Sequence, residues 1–156
     1  MKSKPLLLLI SILIPLITGG ISGYFTAEGI TGWYQTLNAP SFNPPGWIFG
    51  PVWTTLYIIM GISLYLVLIT PDSALRTTAI RVFFLQLTLN FLWSFLFFYF
   101  RNIGLALVDI LLMWGSIVWM IMLFRRIHPA AGYMNIPYLL WVSFATVLNG
   151  AYLFLN

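Results

Sequence analysis

The chain has 156 residues, of which 61% are hydrophobic and only 6% charged. A soluble domain carries about 25% charged residues, so a water-facing globule is excluded and lipid must solvate most of the chain. The formal charge of +4 comes from seven Lys and Arg without a dense basic face, which reads as membrane orientation and argues against nucleic-acid binding.

A membrane span needs about 20 mostly apolar residues. Five stretches supply them, at about 5–27, 47–70, 74–100, 103–125 and 133–155. The fold class expected is therefore an all-α integral membrane protein, a single domain over 1–156 built as a bundle of five transmembrane helices. Lys2 and Lys4 before an apolar run resemble the start of a signal peptide. The run continues through Gly19, Gly20 and Gly23 to Phe25, long enough to span, so a retained first helix is expected.

The segment 28–46 differs from the other connections. It holds Pro40, Pro44 and Pro45 together with Trp33, Tyr34 and Phe42. Proline fixes φ and removes a donor, so continuous helix is excluded. A flexible linker would be polar; this one is aromatic. It is expected to carry a short helical turn over 31–37 and to fold over one end of the bundle as a lid. The remaining connections are short: Pro71-Asp72-Ser73, Arg101-Asn102, and 125–132. Short connections force neighbours to run antiparallel.

Lys2, Lys4, Arg76, Arg81, Arg125 and Arg126 then fall on one side, and Arg101 on the other. In a cell membrane that count places the N-terminus in the cytoplasm and the lid outside. No internal repeat is evident, which argues against an inverted-repeat transporter.

Polar groups in lipid need a partner or a purpose. Asp109, two turns into the fourth span, either bonds a neighbouring helix or Arg101, or serves a proton-coupled carrier site. Gln86 and Asn90 share a face of the third helix, with Trp93 one turn further on. They read as interhelical hydrogen bonding or as a polar spot in a ligand cavity. Asn149 shares a stripe with Trp141, Ala145 and Tyr152 on the fifth helix. Of seven tryptophans, Trp33 and Trp47 suit an interfacial belt. Trp53, Trp93, Trp114, Trp119 and Trp141 lie deeper, either packed or lining a site for a flat apolar ligand. Gly19 and Gly23 have a small-xxx-small spacing that brings helices close, within the bundle or between protomers.

The inventory also excludes chemistry. Cys is absent and His128, the only histidine, sits beside two arginines in a connection. No multi-ligand metal site and no Ser-His-Asp set can be assembled in the membrane core. No resident cofactor is expected.

The run 33–57, WYQTLNAPSFNPPGWIFGPVWTTLY, is specific enough to carry a resemblance. It resembles the TspO family of tryptophan-rich sensory and translocator proteins. Gln86-Leu87-Thr88-Leu89-Asn90 with Trp93, Ala106-Leu107-Val108-Asp109, Pro137-Tyr138 with Trp141, and Ala145-Thr146-Val147-Leu148-Asn149 agree with its later helices. The resemblance covers essentially the whole chain. It implies a five-helix bundle, commonly a homodimer, with a ligand cavity under the first loop. It also implies binding of protoporphyrin IX or related tetrapyrroles and of benzodiazepine-site drugs. By motif match, Trp53 and Trp141 would take part in light-dependent porphyrin degradation. Tyr57, Asn90, Trp93, Ala106, Ala145 and Leu148 would bind the ligand beside them, under a lid holding Trp33, Pro40, Pro44 and Pro45. Val147, Leu148 and Tyr152 are present without a following basic residue, so the family's sterol pattern is incomplete and sterol is a less expected partner. That departure fits a bacterial member. Two other functions remain open on this reading: a carrier of tetrapyrroles or similar compounds, and a sensor whose occupancy controls a partner.

Overall fold

The computed structural model describes residues 4–156. Lys2, counted above with the basic end, lies outside the described residues. Six α-helices appear in chain order: α1 (Pro5–Thr31), α2 (Phe49–Leu68), α3 (Ala74–Ser94), α4 (Ile103–Ile127), α5 (Pro129–Tyr133) and α6 (Ile136–Leu155). With short extensions, five segments are long and apolar enough to cross a membrane. Among the described residues there is no strand. Helices alone satisfy every backbone group within a single segment, as hydrocarbon requires.

α1 continues past residue 27 to Thr31, so the lid is shorter than the sequence suggests. It comprises a 3-10 turn at Trp33–Thr36, an extended Pro-containing stretch, and a second 3-10 turn at Gly46–Ile48 leading into α2. In α1, the hydroxyls of Ser11, Thr18 and Thr26 each donate to the carbonyl four residues earlier, at 2.7–2.8 Å. That return bond is how a hydroxyl settles inside an apolar helix.

The turns are fixed by local chemistry. Ser73 caps α3, its hydroxyl accepting from the Arg76 N–H at 3.1 Å. Asp72 pairs with Arg76 at the same turn. α3 ends in a π-helical turn, Phe95–Tyr99. Arg101 then takes φ 56°, in the left-handed region, and Asn102 caps α4 by accepting from the Leu105 N–H at 2.9 Å. The short α5 lies between α4 and α2. Asn135, which follows it, donates to Ser63 of α2 and to the Ala131 carbonyl, both at 2.9 Å.

The up-down order packs α1 against α2 and α3, α3 against α4, and α4 against α6. Two cores result. The larger lies in the half away from the lid and contains Met60, Phe83, Met113, Met120, Phe124 and Tyr138, with Phe83 and Phe124 stacked at 6.2 Å. The smaller lies under the lid, where Phe97, Ala106, Leu148 and Tyr152 pack with Trp33, Tyr34 and Leu37. Trp114 and Trp119 of α4 are 41% and 49% exposed, facing outward; the Trp114 N–H donates to Ser143 at 2.8 Å.

Candidate functional site

Between the two cores the bundle encloses a cavity of about 400 Å³, within the size range of small-molecule sites. Walls come from α1, α2, α3 with its π-helical turn, and α6; Tyr34, Gln35 and Gly46 of the lid close one end. α4 stands behind the wall and contributes no lining residue.

Aromatic rings dominate the surface. Trp53 stacks on Tyr57, with centroids 5.6 Å apart and planes at 27°. It meets Trp141 edge-on at 6.5 Å and 87°. Trp141 also touches Phe49 and Phe144 at 5.8 and 5.6 Å. Trp93 packs on Phe97 at 5.4 Å, and its indole N–H donates to Asn149 at 3.0 Å. Asn149 in turn donates to the Ile103 carbonyl at 3.1 Å, so α3, α4 and α6 are joined at one point. The Trp141 N–H is buried and has no acceptor among the described residues.

The polar floor is a relay of three bonds. The Tyr57 hydroxyl donates to Asn90 Oδ1 at 2.9 Å, Asn90 Nδ2 donates to the Tyr138 hydroxyl at 2.8 Å, and that hydroxyl donates to Gln86 Oε1 at 2.7 Å. Tyr57 and Asn90 line the cavity, whereas Tyr138 and Gln86 are sealed behind it. An amide nitrogen carries two hydrogens, and Asn90 uses one of them in this relay.

The residues proposed from sequence fall into two groups. Trp53, Tyr57, Asn90, Trp93, Trp141, Ala145 and Leu148 all line the one cavity. Ala106 does not; it is fully buried against Phe97, Leu148 and Tyr152 and shapes the wall from behind. Of the lid residues, Trp33 lies on Phe97 at 5.9 Å with the Arg101 guanidinium over its ring, and Pro40 is buried, while neither touches the cavity. Pro44 and Pro45 shape the strap leading to Gly46. Tyr34 is the aromatic residue of the lid that lines the cavity, against Tyr152 and Phe98 at 5.2 and 5.4 Å. The sequence reading overlooked Phe49, Phe97 and Phe98 as lining. Their signal was present: Phe97 is four residues after Trp93, on the same helical stripe.

Among the described residues, Asp109 has neither of the pairing partners expected for a structural role, Arg101 or a polar group on a neighbouring helix. It is 6% exposed, one oxygen has no hydrogen-bond partner, and it makes no ion pair with Arg101. Arg101 is drawn to Trp33 instead. Among the described residues no group of His and carboxylates could hold a metal ion.

Comparison with known proteins places this architecture. The TspO/MBR family pattern matches residues 11–155. The chain is 41% identical over 152 residues to the "Tryptophan-rich protein TspO" of Archaeoglobus fulgidus, covering 96% of each chain. It is 40% identical over 157 residues to the protein of that name in Chlorobaculum tepidum, covering 100% of this chain and 99% of the relative. To the human "Translocator protein" it is 38% identical over 130 residues, covering 82% of this chain and 76% of the relative. The five-helix bundle with an aromatic cavity under a proline-stiffened lid belongs to a member of the TspO/MBR family.

Proposed function

We propose that this protein is a membrane receptor for flat hydrophobic ligands, held in the aromatic cavity under the lid. The ligand classes are tetrapyrroles such as protoporphyrin IX and benzodiazepine-site compounds. The observation that carries the reading is the convergence of Trp53, Tyr57, Trp93 and Trp141 on one space containing few polar groups. Flat rings gain from edge and face contacts with such a wall. The spare N–H of Asn90 suits a ligand acceptor, and the unpaired indole N–H of Trp141 can turn to one. With light and molecular oxygen, bound porphyrin would be oxidised beside Trp53 and Trp141, the indoles relaying its electrons one at a time to oxygen, which is reduced.

The test is a titration of purified protein with protoporphyrin IX in the dark, following the Soret band. Saturable binding, displaced by a benzodiazepine-site ligand and lost in Trp141→Ala, supports the reading. Non-saturable uptake that ignores both removes it.

A second reading, a carrier of such compounds, draws on Asp109. A buried, unpartnered carboxyl inside a membrane is costly and commonly marks a transport path. Its measurement is net flux into sealed liposomes in the dark. For either reading we place the protein in a cell membrane as a homodimer. Lys4, Arg76, Arg81, Arg125 and Arg126 would face the cytoplasm.

A further inference from the structure

One side of the cavity is lined by glycines that are themselves exposed. α1 and α2 are locked together in the half away from the lid. A side chain at Gly61 of α2 would collide with the backbone of Ser11 and Ile12, and one at Gly19 of α1 with the ring of Tyr57. Pro15 assists, because it has no N–H to return to the Ser11 carbonyl, and that carbonyl lies against Gly61. Beyond Gly19 both helices line the cavity, through Gly20, Gly23 and Thr26 on α1 and Gly50, Trp53 and Thr54 on α2. α1 crosses to the π-helical turn, where Gly29 lies against the Phe98 carbonyl.

Between those two fixed points α1 runs along an open wall. Gly20 and Gly23 of α1, with Gly46 of the turn before α2 and Gly50 in the first turn of α2, line the cavity and are exposed. A Cβ at any of the four would meet nothing within 4 Å. Close packing therefore does not explain them, although each glycine within a helix costs about 1 kcal/mol relative to alanine. Their neighbours Ile17, Ile21 and Phe25 are exposed, so the gap opens on an apolar flank of α1.

The lid, by contrast, is tied down. Asn156 Oδ1 accepts from the Asn38 backbone N–H at 2.9 Å, and Asn156 Nδ2 donates to the Asn38 carbonyl at 3.1 Å. The Tyr34 hydroxyl donates to Asn43 at 3.2 Å. Trp33 is held between Phe97 and Arg101, each 5.9 Å from its ring.

We propose that the ligand reaches the cavity sideways from the bilayer, through the glycine-rimmed gap between α1 and α2, while the lid stays shut. The inference rests on the receptor reading above and names the source of the ligand: a flat apolar molecule dissolved in lipid. Partition into the bilayer concentrates such a molecule at the gap. A rim without side chains admits a rigid ring edge-on, with no helix displaced.

The test uses protoporphyrin IX and protein in lipid nanodiscs, with binding followed in the dark by stopped-flow quenching of tryptophan emission. The rim is filled by Gly20→Leu with Gly50→Leu, and more mildly by alanine at both positions. The lid is locked separately by a disulfide between Asn38→Cys and Asn156→Cys, compared with its own reduced form. The leucine pair is expected to slow association and dissociation alike, by about tenfold, with the alanine pair intermediate. Oxidised and reduced lid variants are expected to bind at one rate. Rim variants that bind at parental rates, or a disulfide that slows binding, would overturn the proposal. So would loss of equilibrium binding confined to the rim variants, which would make the glycines contacts and not a passage. Absence of saturable binding in the parent would instead remove the receptor reading itself.

Discussion

Asn90 donates to the Tyr138 hydroxyl at 2.8 Å, and this one bond connects the cavity floor to the sealed core. Tyr138 also donates to Gln86, so its hydroxyl serves two buried amides at once. Tyr138→Phe keeps the ring and leaves both amides short of a partner. The expected cost is about 2 kcal/mol, within the range for stranding buried polar groups and for interhelical bonds in membranes. Thermal unfolding in detergent reads it as a lowered midpoint. An unchanged midpoint would mean that the relay contributes nothing to the bundle.

The close contact of α1 with α2 gives a second expectation. Ala is the better helix former, so Gly→Ala inside a helix ordinarily stabilises by up to about 1 kcal/mol. At Gly115 of α4, which is exposed with nothing within 4 Å of a new Cβ, that ordinary gain is expected. At Gly61 the new methyl meets backbone of α1, which cannot rotate away. Gly61→Ala should lower stability by about 1–3 kcal/mol, the scale of overpacking. The same unfolding experiment separates the two signs, and equal effects at both sites would remove the helix contact as the cause.

Much of this was legible in the sequence, for physical reasons. Hydrocarbon leaves the chain few alternatives, so the apolar runs mark the helices directly. Trp53, Asn90 and Trp141 were identified through the family pattern of their segments. The tertiary relations were not legible. Gly61 and Gly29 look like any glycines until a neighbouring backbone is placed against them. The attraction of Arg101 to Trp33, in place of Asp109, depends on the left-handed turn that sets Arg101 beside the lid. Ala106 matched the family segment, yet all of α4 stands behind the cavity wall, a relation that only the packing of α4 against α3 and α6 reveals.

Asp109 supplies a third expectation. Its unpaired oxygen loses no hydrogen bond on replacement by the isosteric Asn, and the residue does not line the cavity. Asp109→Asn should therefore unfold at or above the parental midpoint and bind protoporphyrin IX with parental affinity. Under the carrier reading, the same variant should lose net flux into liposomes. Flux at the parental rate would take Asp109 out of any transport path.

The lid clasp can be tested apart from the cavity. Asn156→Ala removes the side chain that bonds both backbone groups of Asn38. Each bond is worth about 0.5–1.5 kcal/mol net, so the Asn38 amide should exchange hydrogen roughly tenfold faster or more. Exchange in α3, which the clasp does not touch, should stay at its parental rate. Unaltered exchange at Asn38 would show that Trp33, Tyr34 and the bond from Asn38 Nδ2 to the Leu155 carbonyl hold the strap without Asn156.

The indole pair is the most direct probe of photochemistry. Trp53 and Trp141 lie 6.5 Å apart, close enough for one ligand to touch both. Phenylalanine at both positions preserves aromatic contact but not the readily oxidised indole. Because the Trp141 N–H has no protein acceptor, its removal breaks no hydrogen bond within the bundle. Dark affinity for protoporphyrin IX should then stay within about threefold, since most ring contact survives. Light-dependent loss of the Soret band in air should fall by about tenfold or more, a barrier increase of about 1.4 kcal/mol. The parent kept in the dark, or illuminated without oxygen, should show no loss. Equal photodegradation by the parent and the double variant would leave the tryptophans as a binding surface only, with the light chemistry belonging to the porphyrin itself.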